Sequence, residues 1–359
     1  MRSLIVAREE IQKFEAFGIV CVAIRCRVWR HNFLERIAGP IVEYRASTAE
    51  EFWELLSPQK YLFTPESEPI FRGQADAAWP LEPSILRGKN HPIYSSRKKD
   101  RSTPEDAYFQ ITSEIDALNT FASFCDSSGL KIPGDSLKFR KDHLDGRSSI
   151  TKFMYGESWP LVEYFEIMAL AQHYGLPTRL LDWSRSAHVA AYFAASGSLF
   201  ENCENKVERL AVWALDIMYG ISSVEIIRVP GGNNANVAAQ GGLFTLLRQQ
   251  FTMAQPFEGD HRLDGHMRIL DSQFNGMRAR GSQVLAKVTL PSNEAPKVID
   301  LCKRHGITAA TLQPDFYGAA KATREYLKCW SMSKYWDGRD IHIESLPAYV
   351  EPATPEIEY

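Results

Sequence analysis

The chain has 359 residues, with 41 Lys and Arg against 44 Asp and Glu for a formal net charge of −3, and it is 45% hydrophobic and 24% charged. That length holds one large domain or two smaller ones around a sizeable core, in the composition range of soluble globular proteins. The near-even charge balance excludes a global attraction to nucleic acid or to an anionic membrane surface and leaves only local basic patches for such contacts.

Residues 1–44 read as an N-terminal extension, with a helical pattern over Glu9–Phe17 and the short apolar run Ile19–Ile24. That run falls far short of the roughly 20 residues a bilayer requires. Arg25, Arg27 and Arg30 follow it at once and no small-residue cleavage site is evident, so it reads as a buried strand. The extension is either an element packed on the domain or an upstream start not used in the cell. Ser47 and Glu50 have capping-box spacing and open an amphipathic helix through Leu56, which Pro58 ends. Tyr61–Phe63 and Ile70–Gly73 are strand-like, with the turn-rich Thr64–Pro69 between them. Arg97, Lys98, Lys99 and Arg101 mark a solvated loop or an anion-binding one.

Tyr108–Phe124 has a helical apolar face, Asp135–Ser149 is charged and turn-prone, and Pro160–Tyr174 is helical again. Beyond the stretch Ala171–Ala195, Leu210–Leu215, Leu243–Leu247 and Ser282–Val288 read as strands, and Pro296–His305 as a helix ended by Gly306. Pro314–Ala320 begins the last helical element, and residues 331–359 form a tail whose end, Pro352–Tyr359, is acidic and loose. The six cysteines lack the paired spacings of a zinc site, and with no secretion signal the expectation is reduced thiols in a cytoplasm. No metal is expected, and no membrane partner.

Ala171–Ala195 concentrates polar groups where a bland core segment would be apolar. Gly175 and Pro177 stop a helix, since glycine tolerates the left-handed terminal position and proline cannot continue the helix. A strand then runs over Thr178–Trp183, with Thr178, Leu180 and Asp182 on one face and Arg179, Leu181 and Trp183 on the other. Ser184 or Ser186 caps the next helix, whose Ala187, Ala190, Ala191, Ala194 and Ala195 form a stripe that lets it lie close to a sheet. Two charges on a short apolar strand need partners or a ligand, and an Arg179–Asp182 ion pair is the simplest arrangement.

Upstream stand Phe71-Arg72-Gly73-Gln74, then Trp79-Pro80-Leu81-Glu82-Pro83-Ser84 and Ile85-Leu86-Arg87, and downstream Ala239-Gln240-Gly241-Gly242-Leu243-Phe244-Thr245. With Gln172–Ser184 between them, these three motifs closely resemble those of the FRG domain family over about residues 45–320. The domain is drawn at 45–330. The arrangement also resembles the ADP-ribosyltransferase fold, which implies an α+β protein with a split mixed β-sheet flanked by helices and NAD as substrate. In that fold an arginine on the first core strand holds the cofactor, a serine at a strand end precedes a helix, and an acidic residue opens a later strand. Arg72, Ser184 and Gln240 stand in those places. The resemblance further implies a role in prokaryotic phage defence or toxicity.

The chemistry asked of such residues is the breaking of the nicotinamide–ribose bond, whose oxocarbenium-like transition state a nearby carboxylate stabilises. Gln240 is an amide and carries no such charge. Asp182 or Glu82 is the substitute, with Asp182 preferred for its place on the strand of Ser184. Arg72 serves phosphate oxygens or pairs with a carboxylate, and Gly73 beside it lets a ligand approach the backbone. Gln74 either holds the same turn or joins Arg179 in completing the cofactor-binding set. His173 is a general base or a hydrogen-bonded structural histidine. Tyr192 and Phe193 either stack on nicotinamide or belong to the core. No Walker loop, His-Glu-x-x-His helix or Gly-x-Ser-x-Gly elbow is present. The expected function is therefore binding of NAD or a related nucleotide with transfer of ADP-ribose to a protein or nucleic-acid target, or cleavage to nicotinamide. The alternative is a non-catalytic nucleotide sensor or a nucleic-acid-binding module.

Overall fold

A computed structural model describes residues 36–37, 41–58, 62–63, 66–87, 104–144, 157–201, 207–218, 223–233, 235–250, 252, 255–256, 260–273 and 284–336. The chain divides into two units, Met1–Leu34 and Glu35–Tyr359, and every strand and helix named below belongs to the second. The helical pattern at Glu9–Phe17, the run Ile19–Ile24, the basic cluster Arg97–Arg101 and the Pro352–Tyr359 tail lie outside the described residues.

The fold is α+β. Among the described residues, eight strands form one sheet: β1 (Arg36–Ile37), β2 (Ile41–Arg45), β3 (Pro69–Gln74), β4 (Leu181–Ser184), β5 (Arg209–Asp216), β6 (Glu225–Ile227), β7 (Gly242–Leu246) and β8 (Leu285–Pro291). Their spatial order is β1-β2-β8-β5-β3-β4-β7-β6. The sheet is mixed, because β2 and β8 run parallel while the other neighbours are antiparallel. The helices are α1 (Ala49–Leu55), α2 (Pro104–Ser127), α3 (Phe165–His173), α4 (Ala187–Glu201), α5 (Ala235–Ala239), α6 (Leu263–Gln273), α7 (Ala295–Arg304), α8 (Ala309–Leu312) and α9 (Phe316–Trp336).

β5 is buried at every position after Arg209, as a central strand covered on both faces must be. Its alternate residues serve two cores. Leu210, Val212 and Ala214 pack with α1, α4 and α7, while Trp213 and Leu215 pack with Leu263 and Met267 of α6. A third cluster joins α2 and α3 to Leu180 and to Phe244 and Leu246 of β7. The two halves of the sheet thus have separate helical layers, α4 over one and α3 over the other.

The alanine stripe of α4 is buried and lies on β3 at backbone range. A Cβ added to Gly73 would fall 2.0 Å from the Ala190 carbonyl oxygen and 2.6 Å from the Ala194 nitrogen. Ser186 caps the helix, its Oγ accepting from the Val189 N–H at 3.3 Å, and Ser184 Oγ accepts from the Ser186 N–H at 2.9 Å. Gly175 ends α3 with φ +90°, the left-handed conformation that its place predicts.

Several boundaries differ from the sequence reading for local reasons. The cap of α1 is Thr48, which accepts from Glu51 N–H at 3.2 Å, while the Glu51 carboxylate returns to Ser47 N–H at 2.7 Å. Starting one residue later than the Ser47–Glu50 spacing suggests turns Ala49 and Phe52 inward. β4 starts at Leu181 rather than Thr178, because Thr178 spends its backbone on Ser84 Oγ and Ile85 N–H and its hydroxyl accepts from Leu180 N–H. Leu62 and Phe63 form a bend rather than a strand, packed against the α4 core. The charged Asp135–Ser149 region is helical over Leu137–Leu144, capped by Ser136 and anchored by buried Phe139 and Leu144.

A ring stack ties α1 to α4. Trp53 and His188 are parallel at 3.9 Å, and His305 lies 5.0 Å from Trp53 and 6.0 Å from His188. Burial, and then the neighbouring His305, hold His188 below the ordinary histidine value. The unfolded chain therefore takes up a proton that the folded stack resists. Stability is full above about pH 6.5 and falls as the pH drops below that value. His188→Phe, which keeps an aromatic ring, is expected to flatten the loss of unfolding free energy between pH 7 and pH 5. His173 and His266, which burial also lowers, contribute to the slope that remains. An unchanged slope in urea titrations would show that the stack carries no such linkage.

Candidate functional site

β3 pairs with β5 along its whole length and β4 with β7 along its whole length, yet β3 and β4 share the single register pair Phe71↔Ser184. Beyond that pair the strands diverge, and the seam between the α3 and α4 layers opens into a cavity of about 290 Å³. Arg72, Gly73, His173, Asp182, Ser184 and Gln240 all line it, so the three separated motifs meet there.

Arg72 is 9% exposed. Its Nη1 donates to the Asp182 carbonyl oxygen at 2.8 Å and pairs with Asp182 Oδ1 at 2.6 Å. The guanidinium thus satisfies a strand carbonyl where β3 itself has moved away. Its Nε is buried with no hydrogen-bond partner among the described residues. Gln172 Nε2 donates to Asp182 Oδ1 at 3.2 Å. In this concave mouth desolvation acts to raise the Asp182 carboxyl, and the charge and hydrogen bond of Arg72 outweigh it, so the group lies below the ordinary carboxylate range and is ionised at neutral pH. Arg87 is the second cation of this corner, lowered by burial and then by the charge of Arg72, with Asp182 opposing. Its Nε donates to the Glu82 carbonyl at 2.8 Å.

Ser184 Oγ donates to the Gln240 carbonyl at 2.7 Å, and Gln240 Nε2 donates to the Leu312 carbonyl at 3.2 Å. These bonds, with Gly241 at φ +57° and Arg185 N–H on the Gly241 carbonyl at 3.0 Å, tie the end of β4 to the turn before β7. His173 closes the α3 side through a short hydrogen bond with Asn236 of α5. Burial lowers its pKa, with Asp315 opposing, so the ring is neutral at pH 7.

Four placements correct the sequence reading. Arg179 pairs with Glu114, not with Asp182. Its Nε lies 2.9 and 2.8 Å from the Glu114 carboxylate oxygens and its Nη1 donates to Gln249 Oε1 at 2.6 Å, all buried away from the cavity lining. Gln74 accepts from Trp213 Nε1 at 2.7 Å and donates to the Pro80 carbonyl at 3.1 Å, so it holds a turn and does not line the cavity. Tyr192 donates to Glu325 at 2.8 Å and does not line the cavity; Phe193, whose ring lies 5.3 Å from that of Tyr192, lines it instead. Gly73 lines the cavity, but the space its side chain would fill belongs to α4 rather than to a ligand. The alternative carboxylate, Glu82, is paired with His261 at 2.6 Å and is absent from the lining.

Sequence reasoning does not single out Gln172, Arg87 or Gln313. Gln172 and Arg87 stand within or beside the motifs, so proximity in sequence is a signal that could flag them. Gln313 arrives from the turn between α8 and α9, and nothing local announces it. Among the described residues no three His, Cys, Asp or Glu side chains are grouped to hold a metal ion. Nor is any described helix long and apolar enough to cross a membrane.

The FRG domain model matches residues 135–202. That segment contains His173, Asp182 and Ser184 but ends before Gln240 and begins after Arg72. The search of curated proteins finds no match, and neither does the search of solved structures.

Proposed function

We propose that the cavity binds the nicotinamide–ribose end of NAD or a related nucleotide and that the protein cleaves the nicotinamide–ribose bond or transfers ADP-ribose. The observation that carries this reading is the convergence of Arg72, Asp182, Ser184, His173 and Gln240 on one cavity at the divergence of β3 and β4. We read that divergence as the split of an ADP-ribosyltransferase-like sheet. Arg72 lines the cavity, and its buried Nε has no hydrogen-bond partner among the described residues, which leaves a guanidinium donor suited to phosphate oxygens. Asp182 is ionised and open on its cavity side, and is the group available to stabilise positive charge on the ribose as nicotinamide departs with the bonding electron pair. Water or an acceptor nucleophile then takes the ribosyl carbon and gives up its proton. Phe193 offers a face for the nicotinamide ring.

Arg72→Ala is expected to weaken NAD binding about 10- to 100-fold, the effect of losing a charged hydrogen-bond donor, as read by calorimetry on the full chain. Asp182→Asn is expected to lower nicotinamide release by about 100-fold while binding changes less than tenfold. Absence of both NAD binding and nicotinamide release in the wild type would overturn the reading.

A second reading rests on one observation. Gln240 places an amide where the related fold has an acid, and that amide is committed to the Leu312 carbonyl. A nucleotide sensor that binds without turnover would show NAD affinity sensitive to Arg72→Ala and no nicotinamide release.

A further inference from the structure

Two large rings stand in solvent just beyond the segment that reaches the cavity. Phe316 is 97% exposed and Tyr317 60%, and they follow closely on Gln313, which lines the cavity. Asp315, next to Phe316, lies near enough for its charge to act on His173 in the cavity wall. The segment is also held to the site directly, through Gln240 Nε2 on the Leu312 carbonyl.

Its backbone is fixed on both sides of the rings. Thr308 and Thr311 form a reciprocal capping box at the start of α8. Asp315 Oδ1 accepts from Gly318 N–H at 2.7 Å, and a Cβ at Gly318 would fall 1.9 Å from the Gln313 carbonyl oxygen, so the turn into α9 is packed to contact. Phe316 and Tyr317 are therefore presented outward on a rigid turn.

The cavity supplies the reason for such rings. At about 290 Å³ it sits at the lower bound of small-molecule sites, roughly 300–1,000 Å³, and takes a nucleoside-sized end. A dinucleotide seated by that end carries its second base out through the mouth. We propose that Phe316 and Tyr317 form the shelf on which the purine of that dinucleotide stacks. This inference rests on the nucleotide reading and deepens it, since it makes the preferred ligand a dinucleotide rather than a mononucleotide. Stacking of a base on an aromatic side chain changes affinity by roughly tenfold or more.

The test compares NAD with nicotinamide mononucleotide, which keeps the end assigned to the cavity and lacks the purine. The full chain is expected to bind NAD at least ten times more tightly. Phe316→Ala with Tyr317→Ala should bring NAD down to the affinity of the mononucleotide and leave the mononucleotide unchanged, while Phe316→Trp retains the preference. Because both rings lie in solvent, a thermal melt coincident with wild type serves as the folding control. Equal affinity for the two ligands in the wild type, or a preference that survives the double substitution, overturns the shelf and leaves the cavity assignment standing. Binding of neither ligand overturns the nucleotide reading and the shelf with it.

Discussion

Glu114→Ala is expected to destabilise the protein by about 3–5 kcal/mol, the cost of leaving one member of a buried ion pair without the other. Glu114 and Arg179 are 3% and 2% exposed at their side chains. The carboxylate also accepts from Trp159 Nε1 at 2.7 Å and from Gln110 Nε2 at 2.5 Å. Removing it takes a buried acceptor from three donors at once. The Arg72–Asp182 pair has similar distances, but Asp182 is 63% exposed at its side chain. Asp182→Asn should therefore cost less than about 1 kcal/mol of stability, although it is expected to remove most of the proposed nicotinamide release. Urea denaturation of the two variants separates the roles, and a Glu114→Ala protein as stable as Asp182→Asn would refute the assignment.

The second large effect is expected at Gly73. Substitution by alanine places a methyl 2.0 Å from the Ala190 carbonyl and 2.6 Å from the Ala194 nitrogen. Both atoms are backbone of α4, so no side chain can rotate aside, and the helix itself must withdraw from β3. Overpacking of this kind costs about 3 kcal/mol or more. Two other glycines calibrate the measurement. At Gly197 a Cβ would meet the Ala75 Cβ at 2.9 Å, and at Gly232 it would meet nothing within 4 Å. Unfolding free energies of the three alanine variants should fall in the order Gly232, Gly197, Gly73, with Gly73→Ala the least stable. A Gly73→Ala variant as stable as wild type would show that β3 and α4 are not in backbone contact.

What can be read in the sequence is what neighbouring residues decide among themselves. Gly175 announces a left-handed helix end, Ser186 a cap and the alanine stripe a close helix–sheet contact, because each depends on chain within a few turns. Asp182 and Arg179 are legible as charges needing partners, but the partners are not. Arg72 lies 110 residues from Asp182, and Glu114 lies 65 from Arg179, and no periodicity encodes such a meeting. Tyr192 and Phe193 show the same limit at one step of chain. The stripe says that α4 is buried, while which of two adjacent rings faces the cavity follows from where α9 and β3 sit around the helix. The candidate site is approached only through the motifs taken together, since Gln240 and Ser184 touch across 56 residues.

The strand order has a consequence for how the molecule is made. β3 lies between β5 and β4, and β5 in turn needs β8, whose pairing begins at Leu285. During synthesis from the N-terminus, the strand bearing Arg72 emerges more than a hundred residues before the first of these neighbours. The alanine stripe then waits, exposed, for β5 and β8 to complete the surface beneath it. Contacts of such long sequence separation place folding among the slower, topology-limited classes, and the loop-closing entropy is met before any of them forms. The segment 135–202 supplies β4 and α4 to a sheet whose adjoining strands come from outside it, so expressed alone it would lack both edges of its own cavity.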